Sequence, residues 1–255
     1  MTHSHKKVAV ITGGAMGIGA EAAKKLALEN YHVVVCDINL QAATEFCAVL
    51  QAEGLAAMPC HIDVGSPSSI HEAFQHIENS LGRCDVLVNS AGIAKTMPFL
   101  EFDHDVFAKT ISINVTGTFL CSQAAAQLMK KNNFGRIINI ASVAGMRAVG
   151  TGRTAYGTSK GAVIALTRQM AVELCEYGIT ANAVAPGPVD TPMTQALHSE
   201  EFRKAYSKAI PLARYGLTSE IAGAVSYLAS DVAAYVNGVV LPVDGGFLAW
   251  GAGDI

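Results

Sequence analysis

The sequence predicts an α/β protein built on one doubly wound sheet of about seven parallel strands, with helices on both faces. Two observations carry that expectation. Short apolar runs rich in β-branched residues alternate from end to end with longer helical patterns, the arrangement that right-handed β–α–β crossovers require. The runs themselves, such as Val33-Val34-Val35-Cys36, are apolar at consecutive positions, as strands covered on both sides must be.

Taken in order, the expected strands are Lys7–Thr12, His32–Asp37, Ala56–His61, Asp85–Asn89, Gly135–Ser142, Ile179–Ala185 and Val239–Val243. The expected helices are Gly17–Glu29, Leu40–Glu53, Ser68–Leu81, Asp103–Lys131, Thr154–Tyr177 and Ser219–Ser230. No repeat, low-complexity tract or linker interrupts the alternation, so residues 1–255 form a single domain on this reading.

Composition narrows the partners. Hydrophobic residues make up 51% and charged residues 15%, a surplus of apolar surface expected to be buried partly against other subunits. A net charge of -3 with scattered Lys and Arg leaves no basic stripe for nucleic acid. No apolar run approaches the ~18 residues of a membrane span, and polar Met1 to Lys7 resembles no secretory signal. Cys36, Cys47, Cys60, Cys84, Cys121 and Cys175 contain no C-x-x-C pair, which suits reduced cytoplasmic thiols and neither a disulfide frame nor a metal site. His3 and His5 are expected to lie on a frayed terminus, holding no metal.

Ligands of such sheets sit at the carboxyl ends of the strands. There, strand one runs through Thr12-Gly13-Gly14-Ala15-Met16-Gly17-Ile18-Gly19 straight into a helix. Glycines serve a tight turn, close approach to a pyrophosphate and helix–strand packing, and a helix start offers free N–H groups to phosphate. Gly13, Met16, Gly17, Ile18 and Gly19 are therefore candidate dinucleotide contacts. Asp37 closes strand two, where a carboxylate bonds ribose hydroxyls and repels the extra phosphate of NADP. Ala15, Met16 and Ile38 supply no compensating cation, so NAD is the expected cofactor. Asp63 and Val64 follow strand three and are placed to hold the adenine; for Asp63, capping of the next helix is the competing reading.

Tyr156 and Lys160 stand one helical turn apart on one face. A phenol titrating near 10 is a poor base at neutral pH. An ammonium about 4 Å away, at an effective dielectric near 20, favours the phenolate by roughly 4 kcal/mol. Such a tyrosine is a general acid/base. Ser142 ends strand five and Tyr156 begins the next long helix, so the fold can bring both hydroxyls to one substrate oxygen. Taken singly, Ser142 also fits a turn cap, and the Tyr–Lys pair an exposed helix face.

The ordered set Thr12–Gly19, Asp37, Asp63-Val64, Asn89-Ser90-Ala91-Gly92, Asn114, Ser142, Tyr156-x-x-x-Lys160, Pro186-Gly187 and Thr191 resembles the short-chain dehydrogenase/reductase family across essentially the whole chain. That resemblance implies a Rossmann-like sheet, a homotetramer, and hydride transfer between nicotinamide and an alcohol or carbonyl carbon. It also implies roles. Asn89, Ala91 and Gly92 would support the sheet centre and the adenosine side. Pro186, Gly187, Val189 and Thr191 would embrace the nicotinamide carboxamide. Lys160 would hold the nicotinamide ribose, and Asn114, in a helix break, would anchor a proton-relay water. Ser90 and Thr158 depart from the family pattern, where Asn and Ala are common.

The expected substrate wall is apolar, from Ile93, Ala94, Met97, Val143, Ala144, Met146 and Val189. Residues at about 190–212 are expected to form a lid with Met193, Leu197, Phe202 and Tyr206 inward, or else a plain apolar cover. Arg153, three residues before Tyr156, suits a substrate anion, and Arg147 is a second candidate. The apolar end, Val243 to Phe247 with Trp250 and Ile255, is expected at a subunit interface, with core closure by strand seven as the competing reading, above all for Phe247. The expected activity is NAD-linked oxidoreduction of a polyol, sugar or hydroxy acid. The alternatives are a 3-oxoacyl thioester reductase and a non-catalytic NAD-binding protein.

Overall fold

The computed structural model describes residues 6–250, so the expectations for His3, His5 and Ile255 lie outside the described residues. Strands β1 (Val8–Thr12), β2 (His32–Asp37), β3 (Ala57–His61), β4 (Val86–Asn89), β5 (Gly135–Ile140), β6 (Ile179–Pro186) and β7 (Val240–Val243) form one seven-stranded sheet. Every pairing is parallel, in the order β3-β2-β1-β4-β5-β6-β7. The winding reverses between β1 and β4, which opens a crevice at their carboxyl ends.

Side-chain alternation in the strands builds two cores. Val33 and Val35 pack with Ala22, Leu26, Ile221 and Val225 on one face. Val34 and Cys36 pack with Phe74, Ile77, Cys121 and Met129 on the other. The covering helices are α1 (Gly17–Leu28), α2 (Leu40–Ala52), α3 (Pro67–Leu81), α4 (His104–Ile111), α5 (Thr118–Lys131), α6 (Thr154–Glu173) and α9 (Thr218–Ala229), with short α7 (Pro192–Leu197) and α8 (Glu200–Lys208) before the last.

Three elements differ from expectation. The long helix over 103–131 is interrupted by a π-helical segment at Ser112–Gly117. Strand five stops at Ile140, because Ser142 turns the chain into a 3₁₀ turn at Val143–Gly145 by accepting the Ala144 N–H at 3.1 Å. Helix α6 ends at Glu173 and closes through a 3₁₀ turn on Gly178, whose φ is 69°.

At the amino end of the sheet lies a fully buried carboxylate. Asp85 accepts the Val8 N–H at 2.7 Å and two Arg83 guanidinium N–H groups at 2.7 and 2.6 Å. Removing one partner of such an arrangement leaves donors stranded. Asp85→Ala should cost about 2–3 kcal/mol in urea unfolding. A loss below about 0.5 kcal/mol, the range of neutral surface changes, would contradict this account.

Candidate active site

The Gly-rich turn is held in place from three sides. A Cβ on Gly19 would lie 2.1 Å from the Gly13 carbonyl oxygen, so only glycine lets α1 close on the turn. The Gly14 N–H donates to the Cys36 carbonyl at 3.0 Å, and the Ala15 N–H donates to Asp37 Oδ2 at 3.1 Å. Helix α1 has no side-chain cap and no acidic residue in its first turn. Its free N–H groups and positive dipole end are left for an anion.

These residues open onto a cavity of about 440 Å³ lined by Gly13, Met16, Gly17, Ile18, Asp37, Asp63, Val64, Ala91, Gly92, Ile93, Ser142, Tyr156, Lys160, Pro186, Gly187, Val189 and Thr191. All were candidate positions. The same wall adds Ile38, Asn39, Ile62, Ser90, Ile113, Ile140, Ala141, Pro192, Met193 and Thr194. Of these, Met193 was expected to face inward and Ser90 stood in the motif after strand four; for most of the others, position beside a candidate at a strand end was the only available signal.

Gly19 and Asn89 stand behind the wall. Asn89 donates to Ser122 Oγ at 2.9 Å and to Asn139 Oδ1 at 2.8 Å, tying β4 to α5 and β5. Asp63 accepts the Gly65 N–H at 2.8 Å, while Ser66 caps α3. The capping role weighed for Asp63 therefore belongs to Ser66. Thr191 lines the cavity and also caps α7 in a reciprocal box with Thr194.

The chemical residues converge because one glycine lets two elements touch. A Cβ on Gly145 would sit 2.5 Å from the Lys160 carbonyl carbon, so the turn after Ser142 lies directly on α6. With its oxygen accepting from Ala144, the Ser142 hydroxyl keeps its proton free to donate. Lys160 is buried, donates to the Ile140 carbonyl at 2.7 Å, and sits 5.7 Å from the centre of the Tyr156 ring.

Electrostatics correct one expectation. Burial holds the Tyr156 phenol above its ordinary pKa, outweighing the opposite pulls of a Ser142 hydrogen bond and the Arg153 charge. The cation that favours the phenolate here is Arg153; Lys160 points its ammonium at a carbonyl. Burial also lowers the Lys160 pKa to about 8.

Asn114 is buried in the π segment. Its Oδ1 accepts the Ile93 N–H at 2.8 Å; its Nδ2 donates to the Ile93 carbonyl and to Ser159 Oγ, both at 2.9 Å. It thus clamps the loop after β4 to α6, beside the cavity.

The remaining substrate candidates divide. Val143 is buried with Val149, Ile210 and Phe247. Ala144 and Arg153 line a second concavity with Thr96, Met97 and residues 148–152. Arg147 stacks over the Phe247 ring at 5.2 Å. Of the four residues expected to face inward from 190–212, Met193 lines the first cavity and Tyr206 packs on the Val143–Phe247 cluster, whereas Leu197 and Phe202 remain 45% and 43% exposed. Sequence reasoning missed His198, which contacts Arg153 from the turn between α7 and α8; a lone histidine between two short helices carries no pattern.

Comparison with known proteins gives a consistent result. A family model described as enoyl-(acyl carrier protein) reductase matches residues 13–248. The 3-oxoacyl-[acyl-carrier-protein] reductase of Mycobacterium avium is 39% identical over 237 residues, 93% of this chain and 88% of that protein. The 5-keto-D-gluconate 5-reductase of Escherichia coli K12 is 40% identical over 240 residues, 94% of each chain. A crystal structure of a gluconate 5-dehydrogenase from Burkholderia cenocepacia, in complex with NADP and tartrate, superposes with a TM-score of 0.92 at 34% identity, covering 96% of both chains. The chain belongs to the short-chain dehydrogenase/reductase family, oxidoreductases that use a nicotinamide dinucleotide.

Proposed function

We propose that this protein is an NAD-dependent dehydrogenase and ketone reductase for small polar secondary alcohols: polyols, sugars or hydroxy acids. The observation that carries the reading is one cavity with Asp37 at one end and Ser142, Tyr156 and Lys160 at the other. The fit to a dinucleotide rests on the uncapped α1 start and the Gly13–Gly19 contact. The Burkholderia neighbour holds NADP, so the preference must come from this chain's own residues. Here Asp37 presents a carboxylate, and its neighbours Ile38 and Asn39 bring no cation.

The bound nicotinamide supplies the hydride acceptor or donor. The chain supplies the rest. Ser142 donates to the substrate oxygen and fixes it beside the phenol. Tyr156 takes the alcohol proton in oxidation and returns it in reduction. Lys160, anchored on Ile140, holds positive charge at the base of the cavity, and Asn114 keeps the loop after β4 against α6.

The same proposal includes a homotetramer in the cytoplasm. It is supported by exposed apolar side chains on α5 and α6 (Phe119, Val172), on α9 (Tyr227) and in the segment just after it (Val232, Tyr235). All six cysteines are free, five of them buried. Among the described residues no helix is long and apolar enough to cross a membrane.

The test is a substrate panel of polyols, sugars, hydroxy acids and a 3-oxoacyl thioester, assayed with both dinucleotides. Turnover of the polar alcohols with NAD is expected. Reduction of the thioester alone, with NADPH, would favour the activity named for the mycobacterial relative. Dinucleotide binding with no turnover would leave a non-catalytic binding protein.

A further inference from the structure

One polar chain links the lid to the catalytic helix, and the proposed activity does not yet use it. Arg153, at the start of α6, places a guanidinium nitrogen 3.0 Å from His198 Nε2. His198 lies between α7 and α8, and its Nδ1 is 3.0 Å from the Tyr215 hydroxyl. Because a guanidinium only donates, Nε2 must carry the lone pair and Nδ1 the proton, donated to Tyr215. Rings lock this imidazole: Phe202 at 4.6 Å, Tyr206 at 6.2 Å and Tyr215 at 6.1 Å between centroids.

The neighbouring cations are committed elsewhere. Arg203 pairs with Asp190 at 3.1 Å and stacks on Tyr215 at 4.2 Å, and Arg147 lies over Phe247. Among the described residues, no carboxylate lies within ion-pair distance of Arg153. Its one side-chain hydrogen bond there is to the neutral His198. Its charge nonetheless bears on the phenols of both Tyr156 and Tyr206. A positive fork is thus held three residues before Tyr156, on the wall of the second concavity, with donors to spare and no partner anion.

We propose that His198 is a positioning residue that presents Arg153 to a substrate carboxylate, so that the pair selects hydroxy acids and keto acids over neutral polyols. This rests on the alcohol dehydrogenase reading above and narrows its substrate class. A carboxylate accepts from the fork in two parallel bonds, whereas a polyol hydroxyl gains little from a fixed cation.

The selection is also pH-sensitive. Burial, then the charges of Arg153 and Arg203, hold His198 below its ordinary pKa, with Tyr206 and Tyr215 as the other titratable groups facing it. The neutral ring persists above that lowered pKa. As pH falls through it, Nε2 gains a proton and can no longer accept from Arg153.

The experiment is steady-state kinetics of wild type, His198→Ala and His198→Gln on a six-carbon aldonate and on the matching neutral polyol, with the same dinucleotide at several pH values. His198→Ala should raise KM for the aldonate about tenfold, a loss of ~1.4 kcal/mol, with kcat and the polyol KM unchanged. His198→Gln, whose amide oxygen can accept from Arg153, should keep the wild-type aldonate KM. The wild-type aldonate KM should rise at acidic pH, and that of His198→Gln should stay flat. Equal losses for both substrates in His198→Ala, or none for either, would overturn the proposal. Wild-type turnover of neither substrate would instead remove the dehydrogenase reading, and this inference with it.

Discussion

Tyr156→Phe should retain dinucleotide binding within about twofold and lose 10²–10⁴ of kcat, the usual contribution of a positioned acid/base. That loss corresponds to roughly 3–5 kcal/mol of barrier at 1.36 kcal/mol per decade. The substitution removes one oxygen and preserves the ring that α6 carries to the cavity wall, so the fold should be unaffected. A pH profile sharpens the test. The phenol is held above its ordinary pKa by burial, so the base form grows only as pH rises. Wild-type oxidation should therefore climb toward alkaline pH, whereas reduction, which needs the acid form, should hold level and fall only as pH nears that raised pKa. Tyr156→Phe should lose both slopes. Dinucleotide titration by fluorescence, alongside initial rates, checks the two halves; surviving turnover in the variant would end the assignment.

Cofactor choice should invert when Asp37→Ser is combined with Ile38→Arg. Asp37 does two things: its Oδ2 accepts the Ala15 N–H at 3.1 Å and its Oδ1 the Asn39 N–H at 3.0 Å, which shapes the turn, and its charge faces the cavity. Serine keeps an acceptor for the backbone while deleting the charge. Ile38 is 65% exposed beside it, so an arginine there can extend over the same corner without displacing core. The ratio of kcat/KM for NAD over NADP should fall about 100-fold, roughly 2.7 kcal/mol of differential transition-state stabilisation. An unchanged ratio would mean that this corner does not meet the ribose.

How much of this was legible beforehand follows from what sequence encodes locally. Buried parallel strands declare themselves through consecutive β-branched residues, so β2 was expected over the span it occupies. The Gly-rich turn and the Tyr156–Lys160 spacing are short-range patterns with a mechanism, and they fall on one cavity. Less visible were matters of direction. A four-residue spacing places Lys160 on the face of Tyr156 but does not say that its ammonium turns to Ile140. Nor does a list of asparagines distinguish Asn89, spent inside the sheet, from a residue at the cavity surface. The clasp between Arg153 and His198 joins positions 45 apart in the chain through two short helices with no buried residues, so no periodicity marks it.

The π-helical segment at Ser112–Gly117 has a consequence for how this enzyme can change. Each residue of a helix advances the chain by about 100° around its axis. A π turn closes i→i+5 hydrogen bonds and so absorbs one residue more than an α turn, leaving the helices on either side of it in phase. Deleting that extra residue would leave Cys121, Ala125 and Met129 buried under the sheet but turn Asn114 off Ile93 and Ser159. The irregularity that aims Asn114 is therefore independent of the core beyond it: a single deletion can erase the clamp while the helix and its packing survive.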